Sequence, residues 1–194
     1  MRVPVAVLAL LTVVVGACAA PDRAAPAPSA PASTAATRAA TRSSQARFPP
    51  PGIVQLAKRR PAPALRVTAF DGRTVTLDGL RGRPAVVSFF ESWCPTCAVE
   101  QPDLSRVAAE FAGRVGFVGV SYHDTVAAGI DYQRRFDVPY PLANDSSGRT
   151  WARWKVPYQP VVVLLDRQGR IAERFDGGTT GGTLRAALAY LLVE

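Results

Sequence analysis

From Ala64 onward the apolar positions follow two periods, and the points where one gives way to the other mark out the elements. The segment ALRVTAFDGRTVTLDGLRGRP, Ala64 to Pro84, alternates apolar and polar residues on both sides of Asp71 and Gly72, which predicts a β-hairpin turning at those two residues. AVVSFF, Ala85 to Phe90, is a continuous β-prone run of the kind that is covered on both faces. The period then lengthens. Between Thr96 and Phe111, Val99, Leu104, Val107, Ala108 and Phe111 fall mostly at three- and four-residue spacings, with Glu100, Asp103, Arg106 and Glu110 largely opposite. Pro102 lies inside this predicted helix and should kink it, because it has no N–H to give the preceding turn.

RVGFVGVSY, Arg114 to Tyr122, predicts a second buried strand. TVAAGIDYQRRF reads as a helix interrupted by Gly129, and SGRTWARWKV as a shorter helix. VVVLLD, Val161 to Asp166, is a third apolar run, and the turn DRQG joins it to RIAERF as a second hairpin. TLRAALAYLL, Thr183 to Leu192, closes the chain as a helix with Leu184, Leu188, Leu191 and Leu192 on one side. The order β-β-β-α-β-α-α-β-β-α predicts an α/β fold: a three-layer α/β/α sandwich with a central mixed sheet and an N-terminal β-hairpin. Roughly 140 residues suffice to bury about two thirds of the surface and fold independently.

The first part of the chain lacks either period. Arg2 precedes VPVAVLALLTVVV, Val3 to Val15, and the small residues Gly16 and Ala17 follow, which is the pattern of an export signal too short to span a bilayer comfortably. VGAC, Val15 to Cys18, resembles a bacterial lipobox, so residues 1–18 are taken as a signal ending at a lipidated Cys18. Ordinary cleavage beside Ala17 and Ala19, giving a secreted protein, is the alternative. Residues 19–51, rich in Ala, Pro, Ser and Thr, bury too little to offset chain entropy and are expected to be a disordered tether reaching on the order of 30 Å. Residues 52–194 form the folded domain.

Charge follows the same division. Residues 1–60 carry eight Lys or Arg against Asp22 alone, whereas residues 61–194 carry fifteen basic and fourteen acidic residues. The pI of about 10.1 therefore comes mainly from the first sixty residues, and a nucleic-acid partner, which needs a basic face on the folded part, is not expected. Anionic lipid headgroups, or water alone, are the better match for the tether's charge.

With Cys18 assigned to lipid, the domain holds only Cys94 and Cys97, so no structural disulfide framework is available. Cys94-Pro95-Thr96-Cys97 lies where a buried strand gives way to a helix, and there free N–H groups and the positive end of the helix dipole stabilise a thiolate. Pro95 suits the first turn, where its missing N–H had no partner. Cys97, one turn further in, would resolve a mixed disulfide. Tetrahedral zinc wants four ligands, and this domain offers two thiols and His123. A copper chaperone of the Sco type would want one more residue between the cysteines, and a peroxiredoxin would want a P-x-x-x-[ST]-x-x-C arrangement that neither cysteine has. Redox exchange is the reading these residues favour, with no cofactor and no metal.

SFFESWCPTCAVEQP, Ser88 to Pro102, resembles the active-site segment of the thioredoxin superfamily, in particular the TlpA/ResA/DsbE group of membrane-tethered extracytoplasmic proteins. The likeness covers residues 62–194 and is carried by WCPTC, by Glu100 and Pro102 in the first helix, and by VPYQP, Val156 to Pro160, ahead of VVVLLD. The resemblance implies a thioredoxin-like fold and a thiol-disulfide oxidoreductase. It also implies that Pro160 is cis and lies against the disulfide, with Gln159 offering its backbone to an extended substrate. Cys94, Cys97 and Pro160 are then the catalytic residues, with Trp93, Pro95, Thr96, Glu91 and Gln159 around them. One departure is plain. Thioredoxin has a buried Asp six residues before the first cysteine, and here that position is Ser88, so proton transfer must use water or another group. Glu91 is the nearest acid and Glu100 the next, although a surface place for either would also fit. Trp93 is expected to shield the disulfide flank or simply to pack, and His123 to have no catalytic duty.

Direction is open at this level, since known dithiol proteins span roughly 150 mV. The pair WCPTC and VPYQP is similar to the DsbE/DsbF-like proteins of high-GC Gram-positive bacteria, which implies oxidation of cysteines in exported proteins and a VKOR- or DsbB-like membrane oxidant. The alternatives are a reductase of disulfides in proteins such as apocytochrome c, fed by a CcdA-like donor, and a non-enzymatic adaptor or copper chaperone. A monomer, held at the outer face of the membrane, is expected.

Overall fold

The computed structural model describes residues 52–194. The export signal, Cys18 and the tether lie outside the described residues. Seven strands, β1 (Arg66–Ala69), β2 (Thr74–Thr76), β3 (Ala85–Phe89), β4 (Gly116–Ser121), β5 (Leu142–Asn144), β6 (Val161–Leu165) and β7 (Ile171–Asp176), form one sheet in the order β2-β1-β5-β4-β3-β6-β7. The helices are α1 (Leu77–Leu80), α2 (Pro95–Glu110), α3 (Val126–Arg135), α4 (Arg149–Arg153) and α5 (Gly181–Val193). β3 pairs parallel with β4 and β4 with β5, while β1, β2, β6 and β7 join antiparallel, so the sheet is mixed as expected.

Continuous apolar runs become buried strands because alternate residues feed opposite cores. In β3 and β6, Val86, Val162 and Leu164 enter one cluster with Leu104 and Val107 of α2, Tyr132 of α3, and Leu184 and Leu188 of α5. Their neighbours Val87, Phe89, Val161, Val163 and Leu165 enter the other, with Leu77 and Leu80 of α1, Trp151 of α4 and Trp154 just after it. A sheet between α2, α3 and α5 on one side and α1 and α4 on the other is the three-layer sandwich. Threonines start three of the helices: Thr76, Thr125 and Thr180 accept from the backbone N–H of Gly79, Ala128 and Thr183.

Several elements differ from the sequence reading. α1 replaces the end of the predicted first hairpin, and β5, three residues long and preceded by prolines at positions 139 and 141, has too little pattern to be seen. Gly129 does not interrupt α3. It is a close approach: a Cβ there would overlap the Phe70 ring, which packs against the helix at that point. α2 holds Pro102 within its span and continues to Glu110.

Candidate active site

β3 lies between β4 and β6 in the sheet, and its C-terminal end feeds Phe90, Glu91, Ser92 and Trp93 into the start of α2. Cys94 is the N-cap: its backbone is extended (φ −80°, ψ 116°), and its Sγ accepts a hydrogen bond from the Cys97 N–H at 3.2 Å. The Cys94 N–H in turn donates to the Glu91 carbonyl at 3.1 Å, which closes the turn. Pro95 occupies the first helical turn. Both cysteines are thiols and both are buried, Cys97 the more deeply. Burial, then the neighbouring Cys94, push the Cys97 thiol far up from its ordinary ionisation range, while a backbone contact from Glu91 draws it back a little. The two sulfurs are thus unequal. One receives a backbone N–H at a helix start, and the other is held protonated.

The inward face of α2 departs from the predicted one in its first turns. It runs Cys97, Glu100, Gln101, Leu104, Val107 and Ala108, whereas Val99, assigned to the core, is 82% exposed. Glu100, expected on the solvent side, is buried. Its Oε1 accepts from the Thr179 N–H at 2.6 Å, and burial, with Asp103 nearby, raises its carboxyl to about 7. Periodicity failed here because polar residues stand on the buried face beside the dithiol.

Pro160 is buried, and the Gln159–Pro160 bond is cis, as the resemblance implied. Register pairs Phe89 with Val161, so Pro160 sits at the end of β6 beside the end of β3. Its carbonyl accepts from the Gly177 N–H. Gly178 (φ +98°) fills the space between: a Cβ there would stand 3.1 Å from Glu100 Oε1 and 3.2 Å from Pro160 Cγ, so proline, glycine and carboxyl pack together. Gln159 is half-buried, and Pro95 and Thr96 are exposed. Trp93 is 61% exposed beside Cys94, which removes the core-packing alternative for it.

Glu91 is not a surface residue. Its side chain is fully buried, its Oε1 accepts from the N–H groups of Tyr122 and His123, and His123 Nδ1 lies 3.3 Å away. Its Oε2 has no partner among the described residues, and burial raises the carboxyl. Asp124 answers from the other loop, accepting from both the N–H and Oγ of Ser92. Each loop's carboxylate thereby holds the other's backbone, fixing the approach to Cys94. His123 itself is largely exposed.

A second group escaped the sequence reading. The Tyr132 hydroxyl donates to the Cys97 carbonyl at 3.0 Å, its ring stacks 4.9 Å from Phe90, and Gln101 below donates to Tyr140 Oη at 2.8 Å and to Ser105 Oγ at 3.1 Å. Gln101, four residues after Cys97 on the same helix face, was the available signal. Among the described residues no cluster of three His, Cys, Asp or Glu side chains is placed to hold a metal ion.

This geometry agrees with what the chain resembles among known proteins. Residues 59–174 match the AhpC/TSA family. The thiol:disulfide interchange protein DsbE of Pseudomonas aeruginosa is 33% identical over 135 residues, covering 68% of this chain and 73% of its own. The soluble secreted antigen MPT53 of Mycobacterium tuberculosis is 37% identical over 108 residues, 56% of this chain; the match spans 59% of that relative's length. Among solved structures, a secreted M. tuberculosis disulfide oxidoreductase homologous to E. coli DsbE superposes with a TM-score of 0.59 at 31% identity, covering 64% of this chain and 94% of that one. The chain belongs to the AhpC/TSA family of thioredoxin-like proteins, in the group that holds the DsbE and ResA thiol-disulfide proteins.

Proposed function

We propose that the chain is an extracytoplasmic thiol-disulfide oxidoreductase that oxidises cysteines of exported proteins through Cys94 and Cys97, held at the membrane by lipid on Cys18. The observation that carries this reading is the 3.2 Å hydrogen bond from the Cys97 N–H to Cys94 Sγ at the start of α2. It aims a backbone donor of the helix start at the sulfur of the reduced dithiol, and an interaction that stabilises the reduced dithiol raises its potential and makes its disulfide the better oxidant.

In this direction a substrate thiolate attacks Cys94 Sγ of the Cys94–Cys97 disulfide. The S–S bond breaks, and its electron pair leaves on Cys97 sulfur, which takes up a proton because burial disfavours its thiolate. Glu100, on the same helix face and with a carboxyl raised to about 7, is placed to supply that proton. A second substrate thiolate then attacks the substrate sulfur of the mixed disulfide and releases Cys94. The substrate loses two electrons and two protons, and a VKOR- or DsbB-like membrane oxidant regenerates the disulfide. Pro160 and Gln159 receive the substrate backbone, and Trp93 covers the open flank.

Equilibration of the purified protein in glutathione buffers, followed by Trp fluorescence, tests the direction. A potential above about −250 mV is expected, and a lower one would favour the reductase reading with a CcdA-like donor. Cys94→Ala should abolish exchange, and Cys97→Ala should accumulate the mixed disulfide. Retained activity in Cys94→Ala would overturn the mechanism.

A further inference from the structure

We propose that a groove on the α4 face of the sheet holds an extended acidic segment of the protein substrate, next to the cysteine being exchanged. This rests on the thiol-disulfide reading of Cys94 and Cys97. The groove has a volume of about 500 Å³ and lies between β7, the residues just after α4, and the extended strap at residues 60–63. Its position follows from register. Arg174 pairs with Val163 and Asp176 with Val161, so both side chains share the α4 face, and Asp176 stands one residue from the level of Pro160. Tyr158, which is 51% exposed, lines the same end two residues before Pro160. From Asp176 back to Ile171 the groove follows the strand for about 17 Å, room for four or five extended residues.

Its walls are held rigid. The Arg174 guanidinium is pinned by Asp176 at 2.9 Å and donates to two successive carbonyls, Trp154 and Lys155, each at 2.9 Å. Lys155 itself is in the left-handed region (φ +53°), a conformation uncommon for a lysine, and its carbonyl is held there by Arg174. Arg153 Nη1 and Trp154 Nε1 both donate to the Ala64 carbonyl, tying the far end of the strap to α4. Prolines and aromatic rings make the walls apolar.

The charge on this framework is one-sided. Arg60, Arg153, Lys155 and Arg174 line it, against Asp176 as the only carboxylate, and Asp176 is engaged by Arg174. Among the described residues no carboxylate pairs with Arg60 or Lys155, both exposed. A substrate chain lying along Gln159 and continuing past Tyr158 would meet apolar walls flanked by two uncommitted cations. That environment suits alternating acidic and apolar residues, and its field would steer such segments toward the dithiol.

The test uses the oxidised full chain and six dithiol peptides, three sequences in two placements. They differ only in a four-residue segment beside one cysteine: Glu-Leu-Glu-Leu, Gln-Leu-Gln-Leu or Lys-Leu-Lys-Leu, each placed before or after it. In one of the two placements the Glu peptide should be oxidised with a kcat/KM about tenfold above the Gln peptide at low ionic strength, and the Lys peptide below both. The preference should shrink to about twofold in about 0.5 M salt and vanish in the Arg60→Gln/Lys155→Gln variant. Equal rates for the three sequences in both placements, or a preference that survives the double variant, would overturn the groove while leaving exchange intact. Anionic phosphatidylglycerol vesicles that bind the wild type but not the double variant, with no peptide preference, would assign the cations to a lipid surface instead. If neither the peptides nor dithiothreitol are oxidised above the uncatalysed rate, the exchange reading fails and the groove with it.

Discussion

Glu100→Gln offers a direct measure of what burial does to the carboxyl beside the dithiol. In the unfolded chain this group ionises near its ordinary 4.5, and in the folded protein burial raises it to about 7. Below pH 4.5 both states hold the proton and the group costs nothing. As pH rises from there, the unfolded state ionises first, and wild-type stability falls by about 1.4 kcal/mol per pH unit. The loss levels off above pH 7 at about 3 kcal/mol, when the folded carboxyl ionises as well. The amide that replaces it in the variant cannot ionise, yet it keeps an oxygen to accept from the Thr179 N–H now bound at 2.6 Å. Urea unfolding of the reduced proteins at pH 5, 6, 7 and 8 is the assay, and comparison with the variant cancels the other buried carboxyls that burial raises, Glu91 and Glu173. The variant should gain on the wild type by about 2–3 kcal/mol between pH 5 and pH 8. A difference that stays flat, or that falls as pH rises, would refute the argument. The same variant should lose the limb of the exchange rate near pH 7 and run on the order of a hundredfold more slowly, as removal of a general acid does.

Two other substitutions test packing around the site. Gly129→Ala replaces a poor helix former with the best one, a gain of about 1 kcal/mol on propensity alone, yet the new Cβ would overlap the Phe70 ring, and overpacking costs about 1–3 kcal/mol. A net fall in Tm is expected, and a rise would mean that Phe70 does not pack there. Tyr132→Phe removes the hydroxyl that donates to the Cys97 carbonyl and should cost about 1–2 kcal/mol by urea unfolding of the reduced protein. An unchanged midpoint would remove that hydrogen bond from the account.

Elements whose residues serve a single environment were legible in the sequence. AVVSFF and VVVLLD read as strands because both faces are covered, so nearly every residue is apolar, and the structure buries all of β3 and β6. The two hairpins and α5 carry their own turn and capping chemistry. α2 was legible as a helix with Leu104, Val107, Ala108 and Phe111 inward, and only its first turns, beside the dithiol, differ. Glu100 and Gln101 occupy its core-facing positions, while Val99 faces water. A hydrophobicity pattern presumes that the inward face is apolar, and beside a reactive dithiol that presumption fails. β5 went unseen because its three residues gain their identity only by pairing with β1 and β4.

The sequence by itself determined that two thiols stand at a strand-to-helix junction with a proline ahead of a buried strand, because those features are local: spacing, helix-start chemistry and an apolar run. Tertiary structure alone decided what surrounds them. It buried Glu91 and Glu100, set Tyr132 under the Cys97 carbonyl, and gathered Arg60, Lys155 and Arg174 along one groove. Residues as far apart as Arg60 and Arg174 meet only when the sheet closes. Burial, which sets how readily a carboxyl or thiol ionises, belongs to the packed whole and to no segment of it.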